Sequence, residues 1–260
     1  MGRRHAPAAR ACESKLKDRL LLQSVTYHIA DKRFTGFLAD GSGGRKSPGI
    51  LVAHEGGGFL TEHPKERAEM LSRLGFVAFA LDLFGDPRPS LEEAKAIVQE
   101  LRSNLPLLRA RVGAALDLLI RHPGVDRARI GAIGFCFGGT AVLELARSGA
   151  DVACTVGFHA GLATSSPQDA RSIRGKVLVC QGNADPVITA KQRDAFAAEM
   201  TDAGVDWQMH LYGGVGHSFT NRYIDAWNIP GFAYHAAADR RSWRAMRDLF
   251  EEVFQKELPG

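Results

Sequence analysis

"IGAIGFCFGGTAVLELA", residues 130–146, joins an apolar, β-rich run to a helical pattern, with Cys136 at the join. Gly134 precedes that cysteine by two residues and Gly138 follows it by two. A chain that leaves a strand and enters a helix over one residue turns sharply, and glycine at both flanking positions removes side chains that would collide. The turn sets the sulfur at a helix N-terminus, where exposed N–H groups favour thiolate. On its own, G-x-C-x-G fits a buried core thiol equally well. The rest of the chain has to separate a nucleophile from packing.

Working outward, "GILVA" (49–53), "FVAFA" (76–80), "DVACTVGF" (151–158) and "KVLVCQG" (176–182) are short apolar runs. Amphipathic patterns lie among them at 62–75, 90–104, 109–122 and 189–204, and a last one covers 239–258. Gly75 reads as a helix C-cap, Ser90 as an N-cap with acids after it, and Pro106 as a break or kink. "QSVTYHIADKRFTGFLAD" (23–40) reads as two strands around a turn at Asp31-Lys32. "GSGGRKS" (41–47) lacks the Gly-Lys-Ser/Thr order of a phosphate loop and precedes a strand, so it reads as a plain loop. Buried strands alternating with helices predict an α/β fold: a mostly parallel, doubly wound sheet covered by helices on both faces.

The 260 residues are 45% hydrophobic, enough for a sizeable core. No apolar run has the length of a membrane span, and the basic start "MGRRHAPAARAC" lacks the apolar stretch of a secretory signal. Residues 1–19 read as a loose basic tail and 20–260 as one domain. The net charge is +4, but bases and acids are interleaved, which argues against nucleic acid as a partner. Cys12, Cys136, Cys154 and Cys180 form no C-x-x-C pair and no zinc spacing. A cytoplasmic protein with no metal or cofactor is expected, as a monomer or small homo-oligomer acting on a small molecule.

Ligands of doubly wound sheets sit at the carboxyl ends of the strands. Those ends carry His54, Glu55 and Gly56; Asp82 and Phe84; Cys136; His159; Asp185; and His217. Thiol, acid and imidazole follow the chain order of the α/β-hydrolases, so Cys136, Asp185 and His217 are the candidate triad. Asp185 orients the imidazole and His217 takes the thiol proton. The Gly56 and Phe137 amides are the candidate oxyanion hole. Phe59, Phe84, Phe137, His159, Phe219 and Trp227 are candidate pocket walls.

The segments "AHEGGGF", "ALDLFG", "GFCFGG", "GNADPVI", "GHSF" and "AADRRSWRAMRDLFEEVF" are similar to those of the dienelactone hydrolase family, from about Gln23 onward. The resemblance implies an α/β-hydrolase fold, an esterase or lactonase with a Cys136–His217–Asp185 triad, and Glu55 near the thiol, modulating its protonation. The family's founding substrate, carboxymethylenebutenolide, carries a carboxylate held by two arginines. Asp86 and Asn221 stand at the matching positions, with Arg88 and Arg222 nearby but out of register. An acid in place of a clamp arginine repels a carboxylate, so neutral small esters or lactones are the expected substrates. Two other readings stay open: a broad small-ester or thioester hydrolase, and a non-catalytic thiol sensor built on the same fold.

Overall fold

Continuous burial along the middle strands dictates the architecture. The molecule is described by a computed structural model over residues 22–258; the expected basic tail, with Cys12, lies outside the described residues. Strands β3 (Ser47–Ala53), β4 (Val77–Leu81) and β6 (Cys154–Phe158) are buried at every position. With β5 (Val125–Phe135), β7 (Lys176–Gly182) and β8 (Trp207–Tyr212) they pair in parallel. β1 (Leu22–Ile29) and β2 (Lys32–Asp40) add an antiparallel hairpin, giving one eight-stranded sheet in the order β1-β2-β4-β3-β5-β6-β7-β8. The hairpin turn is Ala30-Asp31, one residue earlier than expected, because Ala30 takes a positive φ of 50° and Lys32 already pairs with Ile29.

Side chains alternate across the sheet, so each strand feeds two cores. Leu51, Phe79 and Ala132 face one core with α2 (Leu91–Ser103), α3 (Leu105–Arg121) and α4 (Phe137–Arg147). Ile50, Ala78, Ile133 and Cys180 face the other, under α1 (His63–Arg73) and α6 (Ala236–Phe254). α5 (Ala190–Asp202) adds Phe196 and Met200 against Val177 and Val179. Ser90 and Glu93 form a capping box on α2, and Thr189 and Gln192 another on α5. Pro106 does not kink a helix: it lies in the first turn of α3, where its missing N–H costs nothing. All eleven residues of α4 are buried, so the helix that follows Cys136 is fixed from every side.

Candidate active site

One residue, Cys136, separates β5 from α4, and its backbone sits at φ 51° and ψ −114°. A conformation of this kind costs a non-glycine residue about 1–3 kcal/mol and persists only when its surroundings impose it. They do so here. A Cβ on Gly134 would lie 2.1 Å from the Gly138 carbonyl oxygen, and one on Gly138 would lie 2.2 Å from that of Ala53. The Cys136 amide donates to the Phe158 carbonyl (3.0 Å), which pins the turn to β6. The cysteine itself remains half-buried.

Asp185 follows β7 and His217 follows β8. Gly182 lets the two loops meet, since a Cβ there would lie 2.3 Å from the Val215 carbonyl oxygen. Asp185 Oδ2 accepts from His217 Nδ1 at 2.7 Å, while Oδ1 accepts from the amides of Val187 (2.7 Å) and Ile188 (3.0 Å). Burial pushes the Asp185 carboxyl up, but the imidazole contact and the two amides outweigh it, so the group lies below its ordinary value. The His217 amide donates to the Gly231 carbonyl at 2.9 Å, and the ring packs on Phe232. With Nδ1 committed to Asp185, Nε2 is the free face; it is buried and has no hydrogen-bond partner among the described residues. Burial opposes a charge on this ring, yet the Cys136 sulfur and the Asp185 contact overcome it and push the imidazole up to about 10. The Cys136 sulfur raises the imidazole both through its charge and as a hydrogen-bonding neighbour, so the two groups face each other.

The loop after β3 carries His54, Glu55 and three glycines. His54 fixes it: Nδ1 donates to the Glu55 carbonyl (2.7 Å), and Nε2 accepts from the Leu83 amide (3.0 Å). Burial holds this imidazole below its ordinary value, consistent with a neutral ring. The Gly56 amide makes no hydrogen bond among the described residues, and Phe137, the first residue of α4, has no helical acceptor for its own. Glu55 faces the same imidazole as Cys136, with its side chain 12% exposed. Its Oε2 accepts from Asn221 Nδ2, and its Oε1 has no hydrogen-bond partner. Burial drives its carboxyl upward, against smaller opposing effects of Asn221, His217, Ser218 and Arg67.

The aromatic candidates divide. Phe59 is half-buried, edge-on to Phe37 and His54. Phe84, Phe137, His159 and Phe219 are buried: Phe84 packs under His54, and Phe219 against His159 and Tyr212. Strand ends in a sheet covered on both faces include side chains turned into the core, and these four are among them. Trp227 lies against Gly57, where a Cβ would come within 2.8 Å of its ring.

The clamp positions are occupied by internal contacts. Asp86 accepts from Arg33 Nε (3.0 Å) and Thr35 Oγ1 (2.6 Å), and Asn221 is held by Glu55. Arg222, the other arginine near the clamp positions and a candidate for the substrate pocket, pairs with Glu66. Arg88 lies over the rings of Phe37 and Phe59. A cavity of about 290 Å³ lies beside the elbow instead, lined in part by Arg102, Thr140, Gly161, Val187 and Ile188. The Gly161 amide donates to the Cys136 carbonyl, and the Val187 and Ile188 amides hold Asp185, so lining residues contact two of the candidate triad residues, which do not themselves line the cavity. Thr140, Val187 and Ile188 are close in sequence to Cys136 or Asp185, whereas Arg102 and Gly161 come from elsewhere in the chain and carry no sequence signal.

Among the described residues no cluster of three or more His, Cys, Asp or Glu is placed to hold a metal, and no helix is long and apolar enough to cross a membrane. Residues 34–254 match the model of the dienelactone hydrolase family. The chain belongs to the dienelactone hydrolase family. It is 44% identical to the solved structure named m3DLH, covering 89% of this chain and 98% of that one with a TM-score of 0.85. A dienelactone hydrolase-like promiscuous phosphotriesterase from metagenomic libraries is 40% identical over 89% of this chain and 98% of its own, with a TM-score of 0.84. The "Probable 2-oxo-3-(5-oxofuran-2-ylidene)propanoate lactonase" of a Bradyrhizobium species is 30% identical over 69% of this chain and 76% of its own. Family and fold make the protein an α/β-hydrolase acting on lactone or ester bonds.

Proposed function

We propose that the protein cleaves small, neutral lactones or esters through an acyl-thioester on Cys136. His217 Nε2 takes the thiol proton, and the sulfur attacks the substrate carbonyl carbon, forming the C–S bond. The Gly56 and Phe137 amides hold the oxyanion. As the tetrahedral centre collapses, the C–O bond breaks and His217 returns its proton to the leaving oxygen, which stays tethered when the substrate is a lactone. Water then gives a proton to His217 and attacks the thioester; the C–S bond breaks, the acid leaves, and the thiol is restored. Asp185 accepts from Nδ1 throughout and stabilises the imidazolium.

The observation that carries this reading is the Asp185–His217 contact of 2.7 Å, which leaves Nε2 open toward a cysteine held in a strained turn. Preference for neutral substrates rests on Asp86, Asn221, Arg88 and Arg222 all being engaged elsewhere. Hydrolysis rates on a panel of lactones and p-nitrophenyl esters, wild type against Cys136→Ala, test the reading. Wild-type turnover in the variant would refute it.

A further inference from the structure

Behind Glu55 runs a buried chain of polar side chains that the reaction above leaves unused. His159 Nε2 is 2.8 Å from Thr220 Oγ1, and Thr220 Oγ1 is 3.3 Å from His63 Nε2. Arg67 Nε donates to that same His63 nitrogen at 3.2 Å, and Arg67 also donates to the Thr220 carbonyl (2.6 Å) and to Asp239 (2.8 Å). Both imidazoles are buried and held well below their ordinary value, His63 by burial and Arg67, His159 by burial, His217 and His63.

The proton positions follow from the donors. A guanidinium only donates, so His63 Nε2 is an acceptor. If Thr220 donates its hydroxyl proton to His63, it accepts from His159, and His159 is then the Nε2–H tautomer. That N–H also faces Glu55: Nε2 lies 3.7 Å from Oε1, the carboxyl oxygen without a hydrogen-bond partner. A neutral Glu55, with Asn221 donating to Oε2, carries its proton on Oε1. Two donors then face each other, and a gap beyond hydrogen-bond length is expected. Once Glu55 ionises, Oε1 becomes an acceptor and the gap can close.

The backbone gives independent support. His159 has φ 39°, and the other positive-φ non-glycine residues near it are Cys136 (51°) and Ser218 (55°). Strain of this kind clusters where a structure over-determines a side chain. The titratable or charged groups facing Glu55 are His217, Arg67 and His159; those facing His159 are His217, His63, Arg67 and Glu55.

We propose that His159 is a positioning residue that governs the charge of Glu55: its Nε2–H, parked on Thr220 while Glu55 is neutral, moves onto Oε1 when Glu55 ionises. The idea rests on the reading of Glu55 as a modulator of the site. It does not depend on Cys136 being the nucleophile. A donor to the ionised form favours ionisation, and a rival acceptor weakens that help. His159 and Thr220 thus push Glu55 in opposite directions, which a purely structural role does not.

The test is the infrared carbonyl band of protonated Glu55, identified by its loss in Glu55→Gln and followed against pH. In His159→Phe the midpoint should rise by about one pH unit, the scale of one hydrogen bond to a charged group. Thr220→Val removes the rival acceptor and should lower the midpoint. His159→Gln, which keeps an N–H donor, should stay near wild type and serves if the Phe variant does not fold. The pH profile of Cys136 alkylation, read on the Cys136 peptide by mass spectrometry, should move with the band. Midpoints unchanged in His159→Phe and Thr220→Val, or displaced in the same direction, would overturn the proposal. Failure of the nucleophile assignment shows instead as turnover in Cys136→Ala and leaves this titration in place.

Discussion

Cys136 and Cys180 carry the same group a short way apart in one sheet, and their surroundings give them opposite chemistry. Cys180 lies inside β7, covered on both faces, with a long contact to the Tyr212 hydroxyl. Burial pushes its thiol up to about 12. Cys136 has been carried out of β5 by one strained residue, to the start of a helix and alongside an imidazole pushed up to about 10. On the proposed reading, the turn that exposes the sulfur and the imidazole set beside it are what make Cys136, and not Cys180, the nucleophile.

Removing each thiol breaks the comparison most forcefully. Cys136→Ala should lower ester turnover by about three orders of magnitude or more. Cys180→Ala should leave turnover near wild type and cost about 1 kcal/mol in a denaturant titration. Equal effects on turnover would mean that the elbow confers nothing special.

The next largest effect concerns the turn. Gly138→Ala places a methyl group against the Ala53 and His54 carbonyls, at 2.2–2.5 Å. It should destabilise the fold by about 3 kcal/mol or more, on the scale of severe core strain. Gly113, inside α3, has open space where a side chain would project, with nothing within 4 Å of a Cβ placed there. Gly113→Ala should therefore stabilise by about 0.5–1 kcal/mol through helix propensity. Chemical denaturation of the two variants checks both signs.

This contrast also marks what could be read from the sequence. The elbow is legible because its glycines stand at fixed offsets from the cysteine, and the parallel strands are legible because their burial makes them continuously apolar. Strand-end placement then brings out Asp185 and His217. The chain Glu55–His159–Thr220–His63–Arg67 has no such spacing: Thr220 lies 61 residues from His159 and 157 from His63. The burial of aromatic residues at strand ends is equally hidden in the sequence, since only the packed structure shows Phe84 and Phe219 enclosed. The hairpin turn shifted by one residue because Ala30, a poor candidate for positive φ, adopts it.

A third, smaller effect is the pH dependence of stability. Folding raises His217 from an ordinary 6.5 to about 10, so its contribution is complete below pH 6.5 and is lost as pH rises toward 10. Cys136→Ala removes the strongest of the causes that raise it and should flatten the fall in melting temperature between about pH 6.5 and 10. Cys180→Ala should keep the wild-type slope.

The smallest effect is expected at the former clamp. Arg88→Ala and Arg222→Ala should each change the kcat/KM ratio of a neutral lactone to its carboxylated analogue by less than about threefold, as expected of exposed or otherwise engaged charges. A loss of more than tenfold on the anion alone would show that one of these guanidiniums reaches the substrate.

The most direct test is to quench the turnover of a slow p-nitrophenyl ester and weigh the protein by mass spectrometry. Wild type should carry one acyl group, mapped to the Cys136 peptide, and Cys136→Ala should carry none. An acyl group on another residue, or none while p-nitrophenol is released in a burst, would contradict the thioester route.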